Sequence, residues 1–160
     1  MNHGALSQIP KIDKEVFKKV LKISGLVNAY ETTHEQRPVY RCHSVSRAVA
    51  HHVPELKVMD GVVAGVGGFR RRKNKPPLIK ATYFPHTWLI GPGGTIIDPY
   101  PVGIISKPVL VLSCTCHGPY GKGLYFACPD LEKRWMTPEV LEETKILIEH
   151  IGKLLAEHKQ

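Results

Sequence analysis

The sequence predicts an α+β fold: helices first, an antiparallel sheet in the middle, one long helix at the end. Three observations carry this. Apolar residues recur at helical spacing up to Val53. From Lys57 to Ala127 the pattern changes to β-branched runs broken by glycine and proline. Helical spacing returns after Thr137.

Taken in order, a first helix is expected from Lys14 to Ser24. Asp13 caps it, Val16, Phe17, Val20 and Leu21 form its apolar stripe, and Gly25 ends it. Residues 26–41 read as a loop. A second helix begins at Cys42 and runs to Val53, with Val45, Val49 and Val53 on its buried face and Pro54 as its stop. Lys57 to Val66 reads as a strand broken by Gly65, Gly67 and Gly68. Phe69 to Pro77 reads as a basic loop. Thr82 to Ile90 is a second strand, Gly91-Pro92-Gly93-Gly94 a turn, and Thr95 to Asp98 the hairpin partner. Further strands are expected at Pro108 to Ser113 and Leu124 to Ala127. Thr137 caps the last helix, Pro138 suits its first turn, and Val140, Leu147, Ile151 and Leu154 line one face.

The chain has 160 residues, 42% of them apolar, which suits one domain over 1–160 with one core. No stretch approaches the roughly 20 apolar residues that span a bilayer, so no membrane association is expected. Met1 to Pro10 lacks the pattern of a secretory signal, which points to the cytoplasm, with a non-standard export route left open. Four cysteines in such a chain are expected as free thiols. The formal charge of +8 favours acidic partners without identifying one.

The chemistry is concentrated in two segments. Arg41-Cys42-His43-Ser44 puts a cysteine at a helix N-terminus, where the macrodipole favours the thiolate. A small buried core residue is the plainer reading of that cysteine. The second segment is His86-Thr87-Trp88-Leu89, followed by Ile96-Ile97-Asp98-Pro99. If these pair as a hairpin, His86 and Asp98 lie across from each other. The carboxylate then fixes the imidazole tautomer and aims its other nitrogen at the thiol. Adjacent helical side chains diverge by about 100°, so His43 is expected to bind substrate and not to serve Cys42 as base. Trp88, on the face of His86, is expected either to wall a substrate cleft and shield the pair from water or to be core. Tyr100, Tyr120 and Tyr125 are further candidates for a cleft wall.

A cysteine opening a helix, a strand with His-x-Trp and a strand ending in Asp-Pro together resemble the papain-like cysteine-dependent enzymes. The likeness is closest to the transglutaminase-like and bacterial cysteine-peptidase branches, and covers roughly Val39 to Pro101. It implies a papain-like core, with the nucleophile at a helix N-terminus packed on an antiparallel sheet carrying His and Asp. Cys42 maps to the nucleophile, His86 to the general acid and base, and Asp98 to the orienting carboxylate. Gln36, six residues before Cys42, matches the oxyanion-hole glutamine of the peptidases. His43 departs from the tryptophan many of them carry after the cysteine. The resemblance implies a hydrolase or acyl transferase acting on an amide bond, with a peptide or protein as substrate and no cofactor.

Two other signals compete. Cys114, Cys116, His117 and Cys128 supply zinc-type ligands without the usual spacing, so no metal is expected, and His117 is taken as a substrate-binding candidate. Arg70, Arg71, Arg72, Lys73 and Lys75 can attract phosphates. They support an alternative, a non-catalytic basic domain binding an acidic protein or nucleic acid. Oligomeric state is not legible.

Overall fold

The computed structural model describes residues 13–33, 42–72, 75–100, 110–112 and 125–157. Side chains are described within these except at 28–33, 65–72, 75–82, 110–112 and 129. Gln36, Lys73, Cys114, Cys116, His117 and Tyr120 lie outside the described residues, and so does most of the strand expected at Pro108 to Ser113.

Asp13 starts the first helix, α1 (Lys14–Thr33), by accepting the amides of Glu15 at 2.8 Å and Val16 at 3.2 Å. The helix passes through Gly25 instead of ending there. An exposed helical glycine costs only about 1 kcal/mol, and Val27 beyond it is buried in the same stripe as Val16, Val20 and Ile23. Leu21, expected in that stripe, is an exposed residue. The second helix, α2 (Cys42–His52), has Val45 and Val49 fully buried, and Val53 just past its end is buried with them.

The central hairpin is longer than its glycines suggest. β1 (Lys57–Arg72) and β2 (Lys75–Ile90) pair antiparallel throughout, with the register shifting between Val66 and Phe69, where Gly67 and Gly68 sit. A bulge absorbs the glycines and the ladder continues. Arg70, Arg71, Arg72 and Lys75 therefore belong to strands and not to the expected loop. After β2 the chain turns through Gly93 and Gly94, both at positive φ (69° and 76°), and enters β3 (Ile96–Asp98). With β4 (Leu110–Leu112) and β5 (Tyr125–Ala127) the sheet has the order β4-β3-β2-β1-β5, antiparallel at every pairing.

The short helix α3 (Glu132–Trp135) leads to α4 (Pro138–Glu157), whose start is capped by Thr137 Oγ1 accepting the amide of Val140 at 3.4 Å. Val140, Leu147 and Ile151 are buried as expected, and Leu154 is half-buried.

Strand alternation divides the interior in two. Leu89 and Ile97 point to one face and pack with Leu56 against α1, α2 and α4. Trp88 and Ile96 point to the other and pack with Val63 and Tyr125. The fold is thus α+β, as expected. Among the described residues no helix is long and apolar enough to cross a membrane.

Candidate active site

The ladder between β2 and β3 pairs Leu89 with Ile97 and Ile90 with Ile96. Continued by one residue, it places Asp98 opposite Trp88. His86 is therefore a diagonal neighbour of Asp98 and not its direct partner, on the same face two residues further along. The diagonal suits an imidazole, which has the length to cross it. His86 Nε2 lies 2.6 Å from Asp98 Oδ2.

Asp98 is fully buried and its carboxylate is well supplied with donors. Tyr125 Oη donates to Oδ2 at 2.7 Å, and the Tyr100 amide donates to Oδ1 at 3.0 Å. A buried carboxylate supplied with donors in this way can anchor a ring. The His86 ring is wedged between Trp88, nearly parallel at 6.5 Å, and Tyr125, tilted at 6.3 Å. Asp98 takes Nε2, so Nδ1 is the nitrogen left for another partner.

That partner is Cys42, whose side chain hydrogen-bonds to His86. The approach is made possible by how α2 docks. β3 pairs with β2 only at Leu89 and Ile90, and the Thr87 carbonyl accepts from Ser46 Oγ at 2.9 Å. The N-terminal half of α2 is thereby fastened to the strand that carries His86. Ser44 Oγ adds a bond to Glu143 of α4 at 2.8 Å. Cys42 itself is half-buried, and the imidazole and carboxylate behind it are covered.

The charges follow from this arrangement. Burial pushes the Cys42 thiol up, but hydrogen bonds with His43 and His86, and their charges, outweigh it and bring it from 9.0 down to about 6. Burial pushes the His86 imidazole down. The hydrogen bond to Asp98, that to Cys42, and the two negative charges lift it from 6.5 to about 9. Near neutrality the pair is a thiolate beside an imidazolium, the reactive form of a cysteine.

His43, expected to bind substrate and not to serve Cys42 as base, is a hydrogen-bond partner of the Cys42 side chain: the length of the imidazole lets it reach back to the sulfur although the two side chains diverge at Cβ. Its Nδ1 also meets Thr87 Oγ1, and its ring lies 4.5 Å from that of Trp135. Thr87 Oγ1 donates in turn to Asp60 Oδ1 at 2.5 Å, and Asp60 Oδ2 accepts from Arg47 Nη2 at 2.7 Å. Sequence reasoning missed Asp60, Thr87 and Arg47. A signal existed for the first: a single carboxylate inside the apolar run Val58 to Val63 needs a partner once buried.

The remaining expected residues fall as follows. Trp88 is fully buried behind His86 and has no surface to offer a ligand, so it supports the ring instead of touching substrate. Tyr100 is half-buried, packs on the helical core and contributes its amide to Asp98. Tyr125, expected as a cleft wall, is buried and holds Asp98. Among the described residues no cluster of three His, Cys, Asp or Glu side chains is placed to hold a metal ion. Cys128 carries a free thiol, and its amide donates to the Asp60 carbonyl at 2.9 Å.

No protein-family model matches the chain, and neither does any curated protein or solved structure.

Proposed function

We propose that the chain is a thiol-dependent hydrolase or acyl transferase acting on an amide bond, with Cys42 as nucleophile, His86 as acid and base, and Asp98 as the group that orients His86. The observation that carries this reading is the continuous line from a half-buried cysteine, through a covered imidazole, to a fully buried carboxylate. The papain-like likeness of the motifs agrees with it.

The chemistry follows from the atoms. The Cys42 thiolate attacks the carbonyl carbon, and the carbonyl electrons move onto oxygen. The amide N–H of Cys42, at the start of α2, has no intrahelical acceptor and is a ready donor to that oxyanion. As the tetrahedral species collapses, the C–N bond breaks and His86 gives its Nδ1 proton to the leaving amine. A thioester remains on Cys42. Neutral His86 then takes a proton from water, or from an acceptor amine, as it attacks. The thiolate leaves and the ion pair is restored. A peptide or protein is the substrate class that the papain-like likeness of the motifs favours.

The test is covalent capture. Purified protein is exposed to peptidyl electrophiles that mimic an amide carbonyl, and the labelled residue is read by mass spectrometry. Selective labelling of Cys42, reduced by His86→Ala and absent in Cys42→Ala, supports the proposal. Labelling spread evenly over Cys42, Cys114, Cys116 and Cys128 removes its basis.

A further inference from the structure

Cys42 has a second imidazole beside it, and that imidazole has a carboxylate relay of its own. The hydrogens fix its direction. Asp60, paired with Arg47, can only accept, so the single hydroxyl proton of Thr87 goes to Asp60 Oδ1. Thr87 Oγ1 must therefore accept from His43, and the proton sits on Nδ1. Nε2 is left for chemistry. The ring is held by its bond to Thr87 and lies 4.5 Å from that of Trp135, and Arg47 Nη1 donates to the His43 carbonyl at 3.2 Å. The whole arrangement is covered: the His43 side chain is 12% exposed and that of Asp60 5%.

This repeats, on the helix-facing side of β2, what His86 and Asp98 do on the other. Thr87 and His86 are neighbours on one strand, and their side chains leave on opposite faces. Each face thus delivers a carboxylate-backed imidazole to the same sulfur. Among the described residues, the charged groups bonded into the site are His86 from β2, Asp98 from β3, Asp60 from β1, Arg47 from α2, and Glu143 from α4 through Ser44.

We propose that His43 is a second catalytic residue of the Cys42 site, sharing the thiolate with His86, and that Thr87 and Asp60 are the positioning residues that hold it in one tautomer. The inference rests on the thiol-enzyme reading above. Its consequence is that neither imidazole alone accounts for the reactivity of the sulfur.

The test is the pH profile of Cys42 alkylation by iodoacetamide, read at that residue by mass spectrometry. His43→Phe keeps a ring against Trp135 and removes both nitrogens. Its midpoint is expected to rise by about one pH unit or more, as a lost hydrogen bond to the charged form requires. Below the midpoint the rate falls about threefold, less than the thiolate fraction, because the more basic thiolate is also more nucleophilic. Thr87→Val, which does not touch the sulfur, shifts the midpoint the same way. Thr87→Ser restores the hydroxyl and with it the lower midpoint. In the unsubstituted protein, heteronuclear NMR of the imidazole nitrogens shows His43 protonated at Nδ1.

A wild-type midpoint in His43→Phe overturns the inference, and so does a bare Nδ1. If His86→Ala still raises the midpoint while His43→Phe does not, only the His43 inference falls. If wild-type Cys42 titrates as an ordinary thiol, the enzyme reading falls and takes the inference with it.

Discussion

Replacing His86 with glutamine removes the base at Cys42 while leaving an amide donor for the buried Asp98 carboxylate. The structure puts the Cys42 thiol at about 6 against an ordinary 9.0. In the limit where the variant returns to the ordinary value, the thiolate fraction at about pH 6 drops from half to one in a thousand, roughly 500-fold. A thiolate three units more basic is intrinsically more nucleophilic, by about 20-fold at a Brønsted slope near 0.45. The net loss in alkylation rate at about pH 6 is then about 25-fold. The same two factors reverse at high pH, where both thiols are ionised and the variant is faster. In that limit the two profiles cross between about pH 7 and 8; His43, which stays in the variant, makes the loss smaller and moves the crossing to lower pH. Iodoacetamide alkylation followed at Cys42 by mass spectrometry provides the curves. Parallel profiles with no crossing would refute the reasoning, because they would mean that His86 does not set the ionisation of the sulfur.

The ion pair also shapes stability. Folded Cys42 is deprotonated above about 6, whereas the unfolded thiol keeps its proton up to 9.0. Folded His86 holds a proton up to about 9, whereas the unfolded imidazole loses its proton near 6.5. Between about pH 6.5 and 9 these differences cancel, so the pair adds no slope to stability. Cys42→Ala removes the thiol and leaves a histidine raised by Asp98, whose contribution is full below 6.5 and lost as pH rises through its folded value. Urea midpoints should therefore decline with pH in the variant relative to wild type, and identical pH dependence contradicts the pairing. Gly61→Ala would put a Cβ 2.0 Å from the Phe126 carbonyl oxygen and 2.5 Å from Trp88 Cη2. The expected loss is about 1–3 kcal/mol or more in denaturant unfolding, and a neutral result refutes the close packing behind His86. Tyr125→Phe deletes one donor to the buried Asp98 carboxylate and should cost about 1.5–3 kcal/mol by the same measurement. Unchanged stability would mean that Asp98 does not depend on it.

How much of this was legible in the sequence depended on whether the signal was local. Pro54, and Thr137 with Pro138, are local stops and starts, and α2 and α4 begin and end where they indicate. Gly25 is a local signal that lost: its cost is small beside the burial of Val27, which depends on what α1 packs against. The glycines of β1 lost similarly, because a long ladder with β2 tolerates a bulge at Val66/Phe69. In the site, His86 and Asp98 were readable from hairpin parity, although the pair turned out to be diagonal. His43 was readable as a site residue but not as a partner of the sulfur, because helical geometry gives the direction of a Cβ and not the reach of a ring. Asp60, Thr87 and Arg47 become a set only once α2 is known to dock at Thr87, which is a fact about tertiary packing and not about any one segment.

The central claim is that Cys42 exists as a thiolate paired with an imidazolium. The ultraviolet absorbance of the thiolate, titrated in wild type and corrected by the Cys42→Ala spectrum, reads this with no substrate and no probe. The account predicts one thiolate appearing with a midpoint near about 6. A difference spectrum that stays flat until the ordinary thiol range, near 9.0, would contradict it.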